Sequence, residues 1–257
     1  MSTRAGDPVR PSSVTYKSIV AYDGTVFEGF QRQAQGIRTV QSDLEAALTA
    51  LGWQDRSILA AGRTDRGVHA EGQVISFHLA WGHSPEDLTR ALNAHLPMDI
   101  AIRKTEVAGE DFHPRFSAKS RRYRYSLFVD PLRHPLAERF ALRLKHAPDV
   151  NRMQEAAHRL IGERDYRMFG PAPRPEGTTV RNILDATWSG DRDDMTFEIE
   201  ANAFLQHMVR RITAVLLEIG FERLSLAEFE SLLSSPESRW EGALAPACGL
   251  CLIVVRY

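Results

Sequence analysis

The sequence predicts a protein built from both α-helices and β-strands, and three observations carry that prediction. In the first half, runs rich in Val, Ile, Thr and Tyr alternate with segments whose apolar residues recur at helical spacing. In the second half, two strand-like runs flank a turn at Gly190-Asp191, and a helix apolar on most sides follows them. The chain has 257 residues, 43% apolar and 25% charged, which suffices for one large domain or two smaller ones with ample core.

Composition narrows the function classes. A net charge of −1 gives no global basic field, so a polyanion would have to meet a local patch. Cys248 and Cys251 cannot build a disulfide framework and fit a reducing compartment. Their Cys-x-x-Cys spacing fails as a zinc or redox motif, because no second pair exists and a strand follows; buried, inert thiols are expected. There is no run of eighteen apolar residues and no apolar signal core, so a cytoplasmic protein without a membrane partner is expected. No phosphate loop, dinucleotide fingerprint, His-Glu-x-x-His or nucleophile elbow occurs.

Residues 1–13 mix Ser, Pro, Gly and Arg without periodicity and read as a disordered tail. Val14 to Tyr22 reads as a strand, ended by an Asp23-Gly24 turn. In Thr25 to Gln33, aromatics including Phe30 stand beside Gln31 and Arg32, a composition that suits base stacking and phosphate contact or, equally, a loop pinned to the core. Thr39 caps a helix with Val40, Leu44, Leu48 and Leu51 at helical spacing. Strands from Ser57 to Ala60 and from Gln73 to Leu79 bracket a loop crowded with Gly62, Gly67, Gly72, Arg63, Arg66, Asp65, His69 and Glu71. Glycines let the main chain turn and let a flat ligand approach it. Two readings stand: a solvated turn with surface ion pairs, or a site carried between two buried strands. Ser84, Pro85 and Asp87 open the next helix, and a strand through Val107 follows. The apolar pattern lapses at 108–111, which places a boundary between an N-terminal lobe, 14–108, and a C-terminal lobe, 112–257.

The second lobe begins with Phe112 to Tyr125, where Arg115, Lys119, Arg121, Arg122 and Arg124 interleave with Phe116, Tyr123 and Tyr125. Phosphate neutralisation with base stacking is one reading, and an edge strand protected by charge is the other. As a strand, it puts Tyr123 and Tyr125 on one face and Arg122 and Arg124 on the other. Asp149 caps a helix through Ile161, and Thr178 to Trp188 with Met195 to Ala201 forms the hairpin. A helix is expected from Asn202 to Gly220, with Phe204, Leu205, Met208, Val209, Ile212, Val215, Leu216 and Ile219 as its stripe. Arg210 lies nearly opposite that stripe and Arg211 at its edge; a snorkelling arginine is the alternative to one aimed at a partner. Ser225 caps a last helix, and a strand through Tyr257 closes the chain.

Gly62-Arg63-Thr64-Asp65-x-Gly67-Val68-His69-Ala70, followed by Gly72-Gln73-Val74, resembles the signature loop of the tRNA pseudouridine synthase A family. Tyr22-Asp23-Gly24-Thr25 with Gly29-Phe30-Gln31, Arg121-x-Tyr123-x-Tyr125, and Phe204-Leu205-x-His207-Met208-Val209-Arg210 resemble further motifs of that family, in the family order. The chain departs from the pattern at Arg164-Asp165-Tyr166, where His-Asp-Phe is usual, at Gln206, where a histidine is frequent, and in a longer connection over 234–241. The resemblance implies an α+β protein, two sheet-and-helix lobes sharing a central sheet with a basic cleft between them. It implies isomerisation of uridine to pseudouridine at positions 38–40 of tRNA, in the anticodon stem-loop, by a homodimer without metal or organic cofactor. Asp65 matches the catalytic residue, Tyr123 the active-site tyrosine, and Arg210 the arginine that pairs with the aspartate. Arg63, Arg66, His69, Phe30, Gln31, Arg115, Lys119, Arg121, Arg122 and Arg124 are the expected RNA contacts. Two rivals are a glycoside or nucleoside hydrolase using Asp65 with Glu71, and an RNA-binding module without catalysis.

Overall fold

The computed structural model describes residues 13–34, 36–191, 193–235 and 237–257; most of the N-terminal segment read as a tail lies outside them. In chain order the elements are β1 (Val14–Tyr22), α1 (Val40–Ala50), β2 (Leu59–Ala60), β3 (His69–Leu79), α2 (Pro85–His95), β4 (Ile100–Val107), β5 (Ser120–Val129) and β6 (Leu142–Leu144). There follow α3 (Val150–His158), β7 (Gly162–Asp165), β8 (Val180–Gly190), β9 (Asp194–Ala201), α4 (Met208–Gly220), α5 (Leu226–Ser234) and β10 (Leu250–Arg256), with single 3-10 turns between some of them. The fold is α+β.

Local chemistry accounts for the helix starts. Thr39 and Ser84 accept amide hydrogen bonds from Ser42 and Asp87, whose side chains reach back to the cap backbone, and Ser225 with Glu228 repeats the device. Asp149 caps α3 by accepting from the amides of Asn151 and Arg152.

All ten strands join one mixed sheet in the order β4-β1-β3-β10-β5-β9-β8-β7, with β2 on β3 and β6 on β5. The hairpin expected around Gly190 is the antiparallel pair β8 and β9. The last strand, β10, is the seam: it pairs antiparallel with β5 and parallel with β3, through Cys251 opposite His69 and Leu252 opposite Ala70. Gly72 permits that approach, since a Cβ there would stand 2.2 Å from the Ile253 carbonyl oxygen. Two apolar clusters flank the seam. Tyr16, Val20, Leu44, Leu48, Ile75, Leu88 and Leu92 belong to the first, and Tyr125, Met153, Tyr166, Phe197, Ile212 and Leu216 to the second. The half-buried Tyr123 packs against both.

The structure corrects three expectations. Helix α4 begins at Met208, not Asn202, because His207 takes the left-handed conformation (φ 62°, ψ 5°) and breaks the helical path. Phe204 and Leu205 keep their apolar character for another reason: Leu205 is buried, and Phe204 meets the Tyr123 ring edge-on at 5.3 Å. The strand before the signature loop is only Leu59–Ala60, whereas the one after it begins at His69. Cys248 and Cys251 are free but half-buried rather than buried, and burial pushes both thiols up, Cys251 to about 12. Among the described residues no helix is long and apolar enough to cross a membrane.

Candidate active site

The loop between β2 and β3 is tied down along its length by main-chain and side-chain bonds from several elements. The Ala61 amide donates to the Val74 carbonyl at 2.8 Å and Gln73 Nε2 to the Gly62 carbonyl at 2.9 Å. The Phe30 amide donates to the Thr64 carbonyl at 3.0 Å, and the Thr64 hydroxyl meets the Tyr22 hydroxyl at 2.7 Å. Gly67 adopts φ 77°, the left-handed region that favours glycine, and the Val68 amide closes the turn onto the Asp65 carbonyl at 3.2 Å. Asp65 therefore projects from a rigid turn.

Helix α4 delivers the partners of Asp65. Arg210 donates from Nη1 to Asp65 Oδ2 at 3.3 Å and from Nε to the Ala245 carbonyl at 2.8 Å. His207 Nε2 stands 3.4 Å from Asp65 Oδ1. Arg211 turns away and donates to the carbonyls of Phe169 and Gln206, both at 2.9 Å. Helical spacing thus separates two adjacent arginines into one that meets the aspartate and one that fastens loops.

Tyr123 comes from β5 on the face that meets this loop. Burial pushes its hydroxyl up to about 12; Arg121 pulls the other way, and the charge of Asp65 adds to the rise. Asp65, Tyr123 and Arg210 thus converge from a loop, a strand and a helix that are far apart in sequence. Phe204 and His207, which the sequence presented only as parts of a helical stripe and a motif, belong to the same neighbourhood. The signal for them was the break in helical geometry at position 207, which a histidine does not announce.

The expected RNA contacts divide. Arg63, Arg66, Gln31, Arg115 and Lys119 are exposed, with Arg66 Nε 3.3 Å from Glu28. These cations lie on the 61–68 loop and on 115–119, which Arg121 binds together, so they border the cleft region. Phe30, His69 and Arg121 are buried instead, although His69 lines a cavity and its Nε2 has no hydrogen-bond partner among the described residues. Phe30 packs in the core near Tyr22, and His69 accepts the Gly24 amide at Nδ1 and rests on Phe140. Burial holds the His69 ring below its ordinary value, although Asp23 opposes this. Arg121 donates to four carbonyls, those of Ala61, Arg115, Ala118 and Asn202.

Arg122 and Arg124 are partly exposed and already paired. They lie on the sheet face opposite Tyr123 and meet carboxylates of β8 and β9: Arg122 pairs with Glu198, Glu200 and Asp185, and Arg124 with Glu198. The cavity of about 440 Å³ on that face, lined in part by Arg124, Ser126, Cys251 and Glu71, does not include Asp65. Among the described residues no group of three His, Cys, Asp or Glu side chains could hold a metal ion.

Comparison with known proteins identifies the family. A family model described as tRNA pseudouridine synthase matches residues 19–117 and 156–257. A tRNA pseudouridine synthase A of Chloroflexus aurantiacus is 42% identical over 248 residues, covering 95% of this chain and 88% of the relative. One from Shewanella amazonensis is 40% identical, covering 93% and 91%. A solved H/ACA RNP bound to a substrate RNA containing 2'-deoxyuridine matches with a TM-score of 0.38 and 9% identity, covering 79% of this chain and 44% of that one, too distant a likeness to carry an argument. Each matched stretch contains part of the convergence, the Asp65 loop in the first and the Arg210 helix in the second, and on that joint ground the chain belongs to the tRNA pseudouridine synthase family.

Proposed function

We propose that this enzyme isomerises uridine to pseudouridine at positions 38–40 of tRNA, with Asp65 as the catalytic residue. The observation that carries the reading is the Asp65 carboxylate held by Arg210 near Tyr123, on a rigid turn bordered by exposed cations. The reaction breaks the bond between N1 and the ribose carbon, turns the uracil, joins C5 to that carbon, and moves a proton from C5 to solvent while N1 gains one. A carboxylate suits this chemistry as a nucleophile toward the ribose or the ring, or as a base toward a ribose proton. Tyr123 stacks on the uracil and assists loss of the C5 proton. Arg210 orients the carboxylate by a charge-assisted bond. Arg63 helps extrude the nucleotide, which is out of reach inside a stem.

The protein acts as a cytoplasmic homodimer in this reading. Leu132, Leu136 and Phe140, exposed between β5 and β6, suit a partner surface, and two unpaired cysteines suit a reducing compartment. Sedimentation at working concentration tests the dimer, and a monomer would remove it.

The hydrolase alternative needs Asp65 and Glu71 as facing carboxylates, but Glu71 lines the cavity from which Asp65 is absent. The decisive experiment is tritium release from C5-labelled uridine in unmodified tRNA, with Asp65→Asn alongside. Release by the parent, none by the variant, and tRNA affinity within a few-fold are expected. Appreciable turnover by Asp65→Asn removes Asp65 from the role, and free uracil would favour the hydrolase. Binding without release by either protein would favour a binding module.

A further inference from the structure

Arg210 grips Asp65 at one point only. Its Nε is committed to the Ala245 carbonyl, and of its two terminal nitrogens Nη1 is the one that meets Asp65 Oδ2. A carboxylate held at a single oxygen still rotates about its Cβ–Cγ bond, a soft torsion, and rotation displaces whichever oxygen reacts. The second oxygen has a neighbour of its own, since His207 Nε2 lies 3.4 Å from Oδ1. Imidazole and guanidinium thus approach different oxygens of one carboxylate, from residues three apart at the start of α4.

The backbone at His207 makes this placement more telling. His207 and Glu222 are the non-glycine residues at positive φ among those described. The left-handed conformation is disfavoured for any residue with a Cβ, and glycine would make the same turn without strain. The side chain gives no cap hydrogen bond to its own helix, so helix capping does not account for histidine here. What the turn achieves with histidine, and not with glycine, is an imidazole beside Asp65. Strained backbone of this kind is held in place at sites where position matters.

We propose that His207 is a positioning residue for Asp65, its imidazole standing against Oδ1 at 3.4 Å while Arg210 holds Oδ2, so that the plane of the carboxylate is restrained before the nucleotide arrives. The assignment rests on Asp65 being the catalytic residue. It assigns His207 no proton transfer to the substrate and no phosphate contact.

The test uses the full-length protein, C5-tritiated tRNA, and His207→Gly and His207→Gln alongside Asp65→Asn. Glycine relieves the left-handed strain, so His207→Gly should melt no lower than the parent while kcat falls about 10-fold, the low end for losing a polar contact to a charged group, since this contact is long. KM for tRNA should stay within about threefold, on the same principle that a ground-state contact to RNA is not what was removed. Glutamine carries an amide nitrogen at the same reach, so His207→Gln should recover part of kcat. Three results overturn the proposal: a His207→Gly enzyme with the parent's kcat, a loss confined to KM, or a folded His207→Gln no better than His207→Gly. Turnover by Asp65→Asn defeats the reading of Asp65 itself; an inactive Asp65→Asn beside an unimpaired His207→Gly defeats only the positioning role.

Discussion

Replacing Arg210 by alanine measures how much of the reaction depends on one cation. Its side chain is 16% exposed, that of Asp65 28%, and the contact is a single bond of 3.3 Å. An exposed ion pair contributes at most about 1 kcal/mol. Breaking a buried one costs about 3–5 kcal/mol, because a charge is left without compensation. Partial burial and a one-point contact place Arg210→Ala between them, at about 2–3 kcal/mol, or about 30- to 150-fold in rate if the grip persists in the transition state. Arg210→Lys restores the charge, but one nitrogen cannot occupy the separate points from which Nε meets Ala245 and Nη1 meets Asp65, so its rate should lie between parent and alanine. Arg211→Ala is the internal comparison: it loses two carbonyl contacts and should lower the melting temperature while leaving the rate of folded enzyme near the parent's. Single-turnover tritium release under saturating enzyme reads the chemical step without interference from binding. A folded Arg210→Ala within about threefold of the parent, or a greater rate loss from Arg211→Ala, would refute the reasoning.

Three further outcomes follow from the same geometry. Arg121→Met should lose about 3 kcal/mol or more of stability by stripping four carbonyls of their donor, and calorimetry with urea titration would detect it. Arg63→Ala combined with Arg115→Ala should lower the slope of log affinity for tRNA against log salt by about 1.4–1.8 if both touch phosphate, whereas Arg122→Ala with Arg124→Ala should leave it unchanged, because carboxylates already hold those cations. Burial pushes the Asp165 carboxyl up, but hydrogen bonds from Arg167 and Thr179 outweigh it and bring the pKa from 3.8 to about 2. The folded value lies below the free one, so this stabilisation is present above about pH 4 and fades as pH falls toward 2; the melting temperature of Asp165→Asn should fall less than the parent's across that window.

Helix starts were legible because their chemistry is local: Thr39, Ser84, Asp149 and Ser225 each act on amides two or three residues away. The meeting of Arg210 with Asp65 was legible from motif and helical spacing together, and so was the alternation that parts Tyr123 from Arg122 and Arg124. What could not be read was pairing at a distance. Arg122 and Arg124 looked like free cations until the register of β5 on β9 put Glu198 and Glu200 beside them. Phe30 and His69 looked available because a loop composition does not reveal which of its members turn inward. The early start assigned to α4 had a third cause, since Phe204 and Leu205 fit helical spacing by accident while packing from an irregular turn.

The four bonds of Arg121 carry a consequence for how this protein can drift in sequence. Each acceptor is a main-chain carbonyl, so the clamp between the Asp65 loop, the 115–118 segment and the approach to α4 asks nothing of the side chains at 61, 115, 118 or 202. Those four positions are free to vary as far as the clamp is concerned, while Arg121 itself is not. Paired-substitution statistics, which find contacts by compensating changes, would therefore pass over this one of the contacts that fasten the loop to the sheet.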